Sequence, residues 1–78
     1  LKKHDEENQI QYMETLRVYL EQHLSATQAA RELFIHRSTF LYRLDRIKEI
    51  LQSELDDPEE IFYLELSFRL LEQEQEKE

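Results

Sequence analysis

Arg37, Ser38, Thr39, Tyr42, Arg43, Arg46 and Lys48 fall within one short stretch of the chain. All are hydrogen-bond donors, and such a set suits the edges of bases and the oxygens of phosphate. Arg37 and Arg43 can each fork onto O6 and N7 of a guanine, a pairing that discriminates by roughly 1–3 kcal/mol. Ser38 and Thr39 stand beside Arg37, facing base edges or phosphate. Tyr42, one helical turn after Ser38, can offer its hydroxyl to a phosphate. Arg46 and Lys48 lie further along and suit the sugar–phosphate backbone better than the bases. Ser25, Thr27 and Gln28 open an earlier helix, whose free N–H groups can hold a phosphate.

Other chemistries find less material. His4, His23 and His36 lack metal-ligand spacing, and there is no cysteine to act as nucleophile or ligand. A chain of 78 residues leaves little room for a substrate pocket. An enzyme is therefore the least supported class, and no cofactor is expected. The absence of cysteine fits a reducing, cytoplasmic setting. No apolar run approaches the roughly 20 residues that span a bilayer, and the first residues hold no signal-peptide core. There is no initiator methionine, so a fragment of a longer protein is expected.

The formal net charge of −8 argues against nucleic acid at first sight. Its distribution argues the other way. Between Ser25 and Lys48, five of the ten basic residues stand against two of the eighteen acidic ones, a balance of +3. The remainder of the chain carries a balance of −11. The positive charge is concentrated where the donors are.

These side chains need rigid elements to hold them. The chain has no glycine and one proline, which disfavours tight hairpins and phosphate-cradling loops. Leu, Glu, Gln and Arg are prominent, so an all-α fold is expected: a small orthogonal bundle of four or five helices, one domain over residues 1–78. The first helix should begin near Asp5 or Asn8 and bury a stripe of Ile10, Met13, Leu16, Leu20 and Leu24, with Tyr12 and Tyr19 alongside. Ser25 and Gln28 match a capping box for a short second helix ending near Leu33, with Thr27 as a competing cap. A third helix should run from Arg37 to about Leu51, with Phe40, Leu44, Ile47 and Leu51 inward. Arg37, Ser38, Leu41, Tyr42, Asp45 and Arg46 fall on its other face. His36 stands at its cap position, where the ring could accept a first-turn amide. Asp57, Pro58 and Glu60 mark the start of a fourth helix over about 58–74, with Asp57 as cap, Pro58 in the first turn and Glu60 closing an acidic capping box. That helix is apolar on two sides, through Ile61, Leu64, Phe68 and Leu71 and through Phe62, Tyr63, Leu66 and Leu70, so it wants more than one neighbour. The polar tail from Glu72 should fray.

A short helix, a tight turn and a longer helix make a helix-turn-helix, here about residues 25–48. Ala29 and Ala30 are small enough for a close crossing. Leu33, Ile35, Phe40 and Leu44 can anchor both helices and the turn. The donors stand at the N-terminal end of the second helix, the end that enters a major groove. The turn usually holds a glycine at positive φ, yet Phe34 is there. Either the turn avoids positive φ, or Phe34 tolerates it under tertiary constraint.

The stretch from Ala29 to Ile47 resembles the C-terminal helix-turn-helix of the PucR/CdaR regulators of purine and sugar-diacid catabolism, which reads A-x-x-L-F-V-H-R-N-T-L-x-Y-R-L-x-R-I. Glu14–Glu21 is similar to the family's preceding helix, and Leu55–Glu59 to its L-D-D-P-x segment. The resemblance implies a bacterial transcription regulator with this domain at its C-terminus, after a sensor region, and a homodimer or higher oligomer on double-stranded promoter DNA. His36, Arg37, Thr39, Tyr42 and Arg43 match the motif. Leu41 and Asp45 stand where the family often has arginine, which lowers the positive charge of the reading helix. An aromatic residue or histidine at the turn is common in the family, as Phe34 is here. Two readings stand on the residues: sequence-specific duplex DNA binding, or a helical interaction module that keeps the fold without reading DNA.

Overall fold

The computed structural model of the chain describes residues 2–77, with side chains over residues 9–73. Four helices follow one another: α1 (Lys2–Glu21), α2 (Ala26–Glu32), α3 (Arg37–Leu51) and α4 (Pro58–Lys77). No strand occurs among the described residues. The chain is all-α, as its composition implies.

The core forms where α1, α2 and α3 meet. Its buried members are Leu16, Val18 and Leu20 from α1, Ala29 and Ala30 from α2, Phe40, Leu44 and Ile47 from α3, and Leu55 from the loop beyond. Ala29 and Ala30 are the buried residues of α2, so α2 meets its neighbours through methyl groups, the close approach expected of that pair. Phe40 is wholly buried, and its ring lies 5.7 Å from that of Tyr19, tilted by 47°, at a separation typical of interacting aromatic pairs. α4 packs against α1, and among the described residues its backbone comes close to neither α2 nor α3.

The buried stripe of α1 differs from its expected membership. Leu16 and Leu20 are buried, but Ile10, Met13 and Leu24 are exposed, while Thr15 and Val18 are buried. α1 also begins at Lys2, ahead of both Asp5 and Asn8. The helix outruns the partners that cover it, and neighbours on two sides widen its inward face beyond one stripe. Thr15 enters the core because its hydroxyl donates to the Gln11 carbonyl at 2.7 Å. With that bond made inside its own helix, it buries like an apolar residue. In α3, Phe40, Leu44 and Ile47 face inward as their spacing predicts, whereas Leu51 is left partly exposed at the helix end.

The helix ends are built without glycine. Phe34 has φ 58°, which settles the alternative: the turn does use positive φ. Tertiary constraint on the side chain is not the reason, since Phe34 is 95 % exposed. The backbone holds it instead. Its N–H donates to Arg31 O at 3.2 Å, and the next N–H, of Ile35, donates to Ala30 O at 3.1 Å. Those two bonds are the Schellman pattern that closes a helix C-terminus. The pattern recurs at α1, where His23 (φ 57°) donates to Leu20 O and Leu24 to Tyr19 O. It recurs at α3, where Gln52 (φ 53°) donates to Glu49 O and Ser53 to Lys48 O.

The N-termini follow their capping signals in part. The Ser25 hydroxyl accepts from Gln28 N–H at 3.2 Å, while the Ser25 N–H donates to Gln22 O rather than to the Gln28 side chain. Asp57 caps α4 by accepting from Glu59 N–H at 3.0 Å. Glu60 does not close a capping box; its carboxylate accepts from the Ser53 hydroxyl. Ser53 in turn accepts from Leu55 N–H at 3.0 Å, so one serine and one glutamate shape the α3–α4 loop and seat Leu55 in the core.

Two stability effects follow. Phe34→Gly relieves a left-handed residue that costs roughly 1–2 kcal/mol while adding unfolded-state entropy worth about 0.5–1 kcal/mol. The net expectation is a melting temperature raised by a few degrees; a fall would show that the Phe34 side chain stabilises the fold. Ala29→Leu overfills the crossing and should lower the unfolding free energy by about 1–3 kcal/mol in denaturant titration, and an unchanged midpoint would show that the crossing is loose.

Candidate nucleic-acid interface

The buried positions of α3 leave the other side of the helix to solvent. Arg37, Ser38 and Thr39 in its first turn are exposed, and so is Tyr42. Tyr42 keeps 65 % of its surface. Arg43 and Lys48 are half-buried, so their stems run along the helix flank. The structure thus gathers Arg37, Ser38, Thr39 and Tyr42 on one accessible surface at the positive end of the α3 dipole. That end carries no acidic residue in its first turn.

His36 precedes this surface as the N-cap, with extended backbone (φ −67°, ψ 148°) and no side-chain bond to the helix. The expected ring-to-amide cap is absent, and the exposed imidazole is left to other partners. Leu41 does not share the solvent face with Arg37 and Tyr42. It is half-buried against the core, because the inward face of α3 widens toward its neighbours. The leucine that stands where the resembled motif often has arginine therefore packs against the core rather than adding an apolar residue to the solvent face. Asp45 is exposed, as expected.

Arg46 is already engaged. Its guanidinium donates to Glu49 at 3.0 Å. Its pKa is raised, first by hydrogen bonding to Tyr12, then by the charge of Glu49 and by Tyr42. Tyr12 was legible only as a core-flanking aromatic. Its neighbourhood with Arg46 depends on how α1 and α3 pack, which no local pattern displays. An exposed ion pair of this kind contributes little to stability, and its cation remains available to an anion.

At α2, the Ser25 hydroxyl is spent as an acceptor on Gln28 N–H and keeps its own proton to donate. Thr27 and Gln28 are exposed beside it. The connection from α2 to α3 is the short segment of residues 33–36, whose Leu33 and Ile35 pack on the core. A groove of about 620 Å³ lies elsewhere, between α1 and α4. Its lining carries both signs of charge, with Arg17 and Arg69 beside Glu21, Glu65 and Glu72, and none of the donors of α2 or α3. Among the described residues, no three His, Asp or Glu side chains gather to hold a metal. No helix among them is long and apolar enough to cross a membrane.

Comparisons agree with this arrangement. The chain is 41 % identical over 58 residues to the purine catabolism regulatory protein of Bacillus subtilis (strain 168), covering 74 % of this chain and 11 % of that protein. It is 39 % identical over 57 residues to the proline-responsive transcriptional activator PutR of the same organism, covering 73 % of this chain and 14 % of that protein. The chain thus spans only a small part of the length of these curated relatives. No solved structure matches it significantly. The PucR C-terminal helix-turn-helix domain matches residues 12–70, which takes in the buried half of α1, the Ala29–Ala30 crossing, the glycine-free turn and most of α4. On that match, the chain belongs to the PucR C-terminal helix-turn-helix family of transcription regulators.

Proposed function

We propose that this chain binds duplex DNA sequence-specifically, with α3 in the major groove. The observation that carries the reading is the donor surface of Arg37, Ser38, Thr39 and Tyr42, exposed at the N-terminal end of α3 in a helix-turn-helix family. Arg37 and Arg43 read guanine edges. Ser38 and Thr39 contact a base edge or the adjacent phosphate. Tyr42 and His36 hold phosphates on either side, and Arg46 and Lys48 follow the backbone further along. Ser25, Thr27 and Gln28 fix α2 across the neighbouring phosphates, so the backbone contacts set the register in which α3 reads.

The wider setting belongs to the same proposal. Residues 1–78 form one DNA-binding domain at the C-terminus of a cytoplasmic regulator, homodimeric on its operator, with its sensor upstream. The chain binds rather than catalyses. Its two relatives carry names that point to different signals, purine catabolism and proline, at nearly equal identity to it. A domain shared so evenly does not encode the signal, which supports a sensor outside it.

The acidic body shapes the encounter. Outside Ser25–Lys48 the balance is −11, so most approaches are repelled and the narrow basic strip is the one that docks.

Fluorescence anisotropy with fragments selected from a promoter pool tests the reading. Arg37→Ala should cost about 1–3 kcal/mol and relax preference at one base pair, while Lys48→Ala should weaken all sequences alike. The logarithm of affinity should fall with that of salt, at a slope near −0.9 per phosphate contacted. A flat salt response, or an Arg37→Ala variant indistinguishable from the parent, would leave the interaction-module reading in place of this one.

A further inference from the structure

We propose that Phe34 is a specificity-determining residue, its ring lying against the 5-methyl group of a thymine in the major groove, close to the base pair that Arg37 reads. The inference rests on the duplex reading of α3 and deepens it, adding an apolar contact to a surface otherwise made of donors.

The fold makes no use of the Phe34 side chain. It keeps 95 % of its surface, against 67 % for Tyr63, the next most exposed large apolar residue among those described. Its backbone is left-handed, with φ 58°, a conformation that glycine takes freely and phenylalanine takes at a cost. The motif that closes α2 draws its apolar contact from the following residue, and Ile35 supplies it by packing on the core. The other apolar residues at positive φ are Leu24 and Leu55, and they keep only 37 and 3 % of their surface. Single exposed apolar residues are ordinary. A bulky one held in left-handed backbone is an outlier, and such outliers point to function when the fold gains nothing from them.

The position of Phe34 selects duplex DNA as what covers it. Along the connection from α2 to α3, Leu33 and Ile35 pack on the core, while Phe34 and His36 are exposed. His36 caps α3, and the exposed Arg37, Ser38 and Thr39 follow directly. Phe34 therefore extends the donor surface back along the chain. It stands three positions before Arg37, at most about 11 Å of extended chain, or about three base-pair steps. Its exposed neighbours on the α2 side are Arg31 and Glu32. No other large apolar side chain between Leu24 and Tyr42 is exposed. The centre of a protein interface gathers several apolar and aromatic side chains, whereas a lone ring among donors suits the wall of a groove. A phenyl ring neither donates nor accepts a hydrogen bond. The feature of the major groove that it matches is the methyl group of thymine, which phenylalanine contacts.

Anisotropy with duplexes selected from a promoter pool tests this, each thymine being replaced in turn by deoxyuridine. That base lacks the methyl group and keeps every hydrogen-bonding edge. One replacement, within about three base pairs of the pair where Arg37→Ala relaxes preference, should weaken the parent about fourfold, the worth of one buried methyl group. Phe34→Gly and Phe34→Asn both suit left-handed backbone. They should bind the thymine duplex at least about fourfold more weakly and be indifferent to that same replacement. Variants weakened by a looser turn alone would keep the deoxyuridine effect, and that result overturns the proposal. So does a parent that binds with the expected salt slope and ignores every replacement, an outcome that leaves the α3 reading standing. A parent that binds no duplex, or binds without dependence on salt, removes both. Variants with unchanged DNA affinity that fail to regulate transcription in vitro would assign Phe34 to a protein contact instead.

Discussion

α2 has one short run of residues with which to hold on to the molecule, and its two fully buried side chains are methyl groups. Ala29 and Ala30 let the α2 backbone come close to its neighbours, and that proximity sets where α3 can lie. Phe40 then fills the space beneath, against Tyr19 of α1. With Phe40, Leu44 and Ile47 fixed inward, the first turn of α3 has no choice but to present Arg37, Ser38 and Thr39 outward. The donor surface is thus a consequence of a steric allowance in the preceding helix. The dispersion energy of the core depends on the same closeness, because interiors this small have few contacts to lose.

The turn between the two helices shows how such proximity is reached without glycine. Five non-glycine residues take positive φ: His23, Leu24, Phe34, Gln52 and Leu55. Three of them close helices through paired backbone bonds. The local cost at each is met by satisfying carbonyls that would otherwise be orphaned at a helix end. Leu55 is different, since its side chain is buried. There the core itself, together with Ser53 and Glu60, holds the backbone in place.

Much of this arrangement was legible in the residues. The Ser25 cap, the alanine pair, the inward spacing of α3 and the break before Arg37 are local signals, and the structure keeps them. The donors of α3 were legible for the same reason, since a first-turn position next to a known inward face leaves few orientations. What escaped depended on distance along the chain. Thr15 and Val18 displaced Ile10 and Met13 in α1 because the inward face of a helix is drawn by its neighbours rather than by its own greasiest stripe. Glu60 turned from its expected cap to Ser53, and Leu41 turned to the core. Tyr12 found Arg46 across two helices. Left-handed backbone at Phe34 stayed one of two alternatives because its usual marker, glycine, is missing from the whole chain.

α4 is attached along one edge only, to α1. A helix held on one side has fewer packed neighbours than three helices that enclose a core together, and sparse packing is the condition under which local opening comes most easily. Whatever rests on its outer face also holds its inner face down, since a ligand that favours the closed form raises the stability of that form. The tightness of this helix is therefore a variable set by its surroundings, and it is coupled through α1 to the three-helix body that carries the α3 donors.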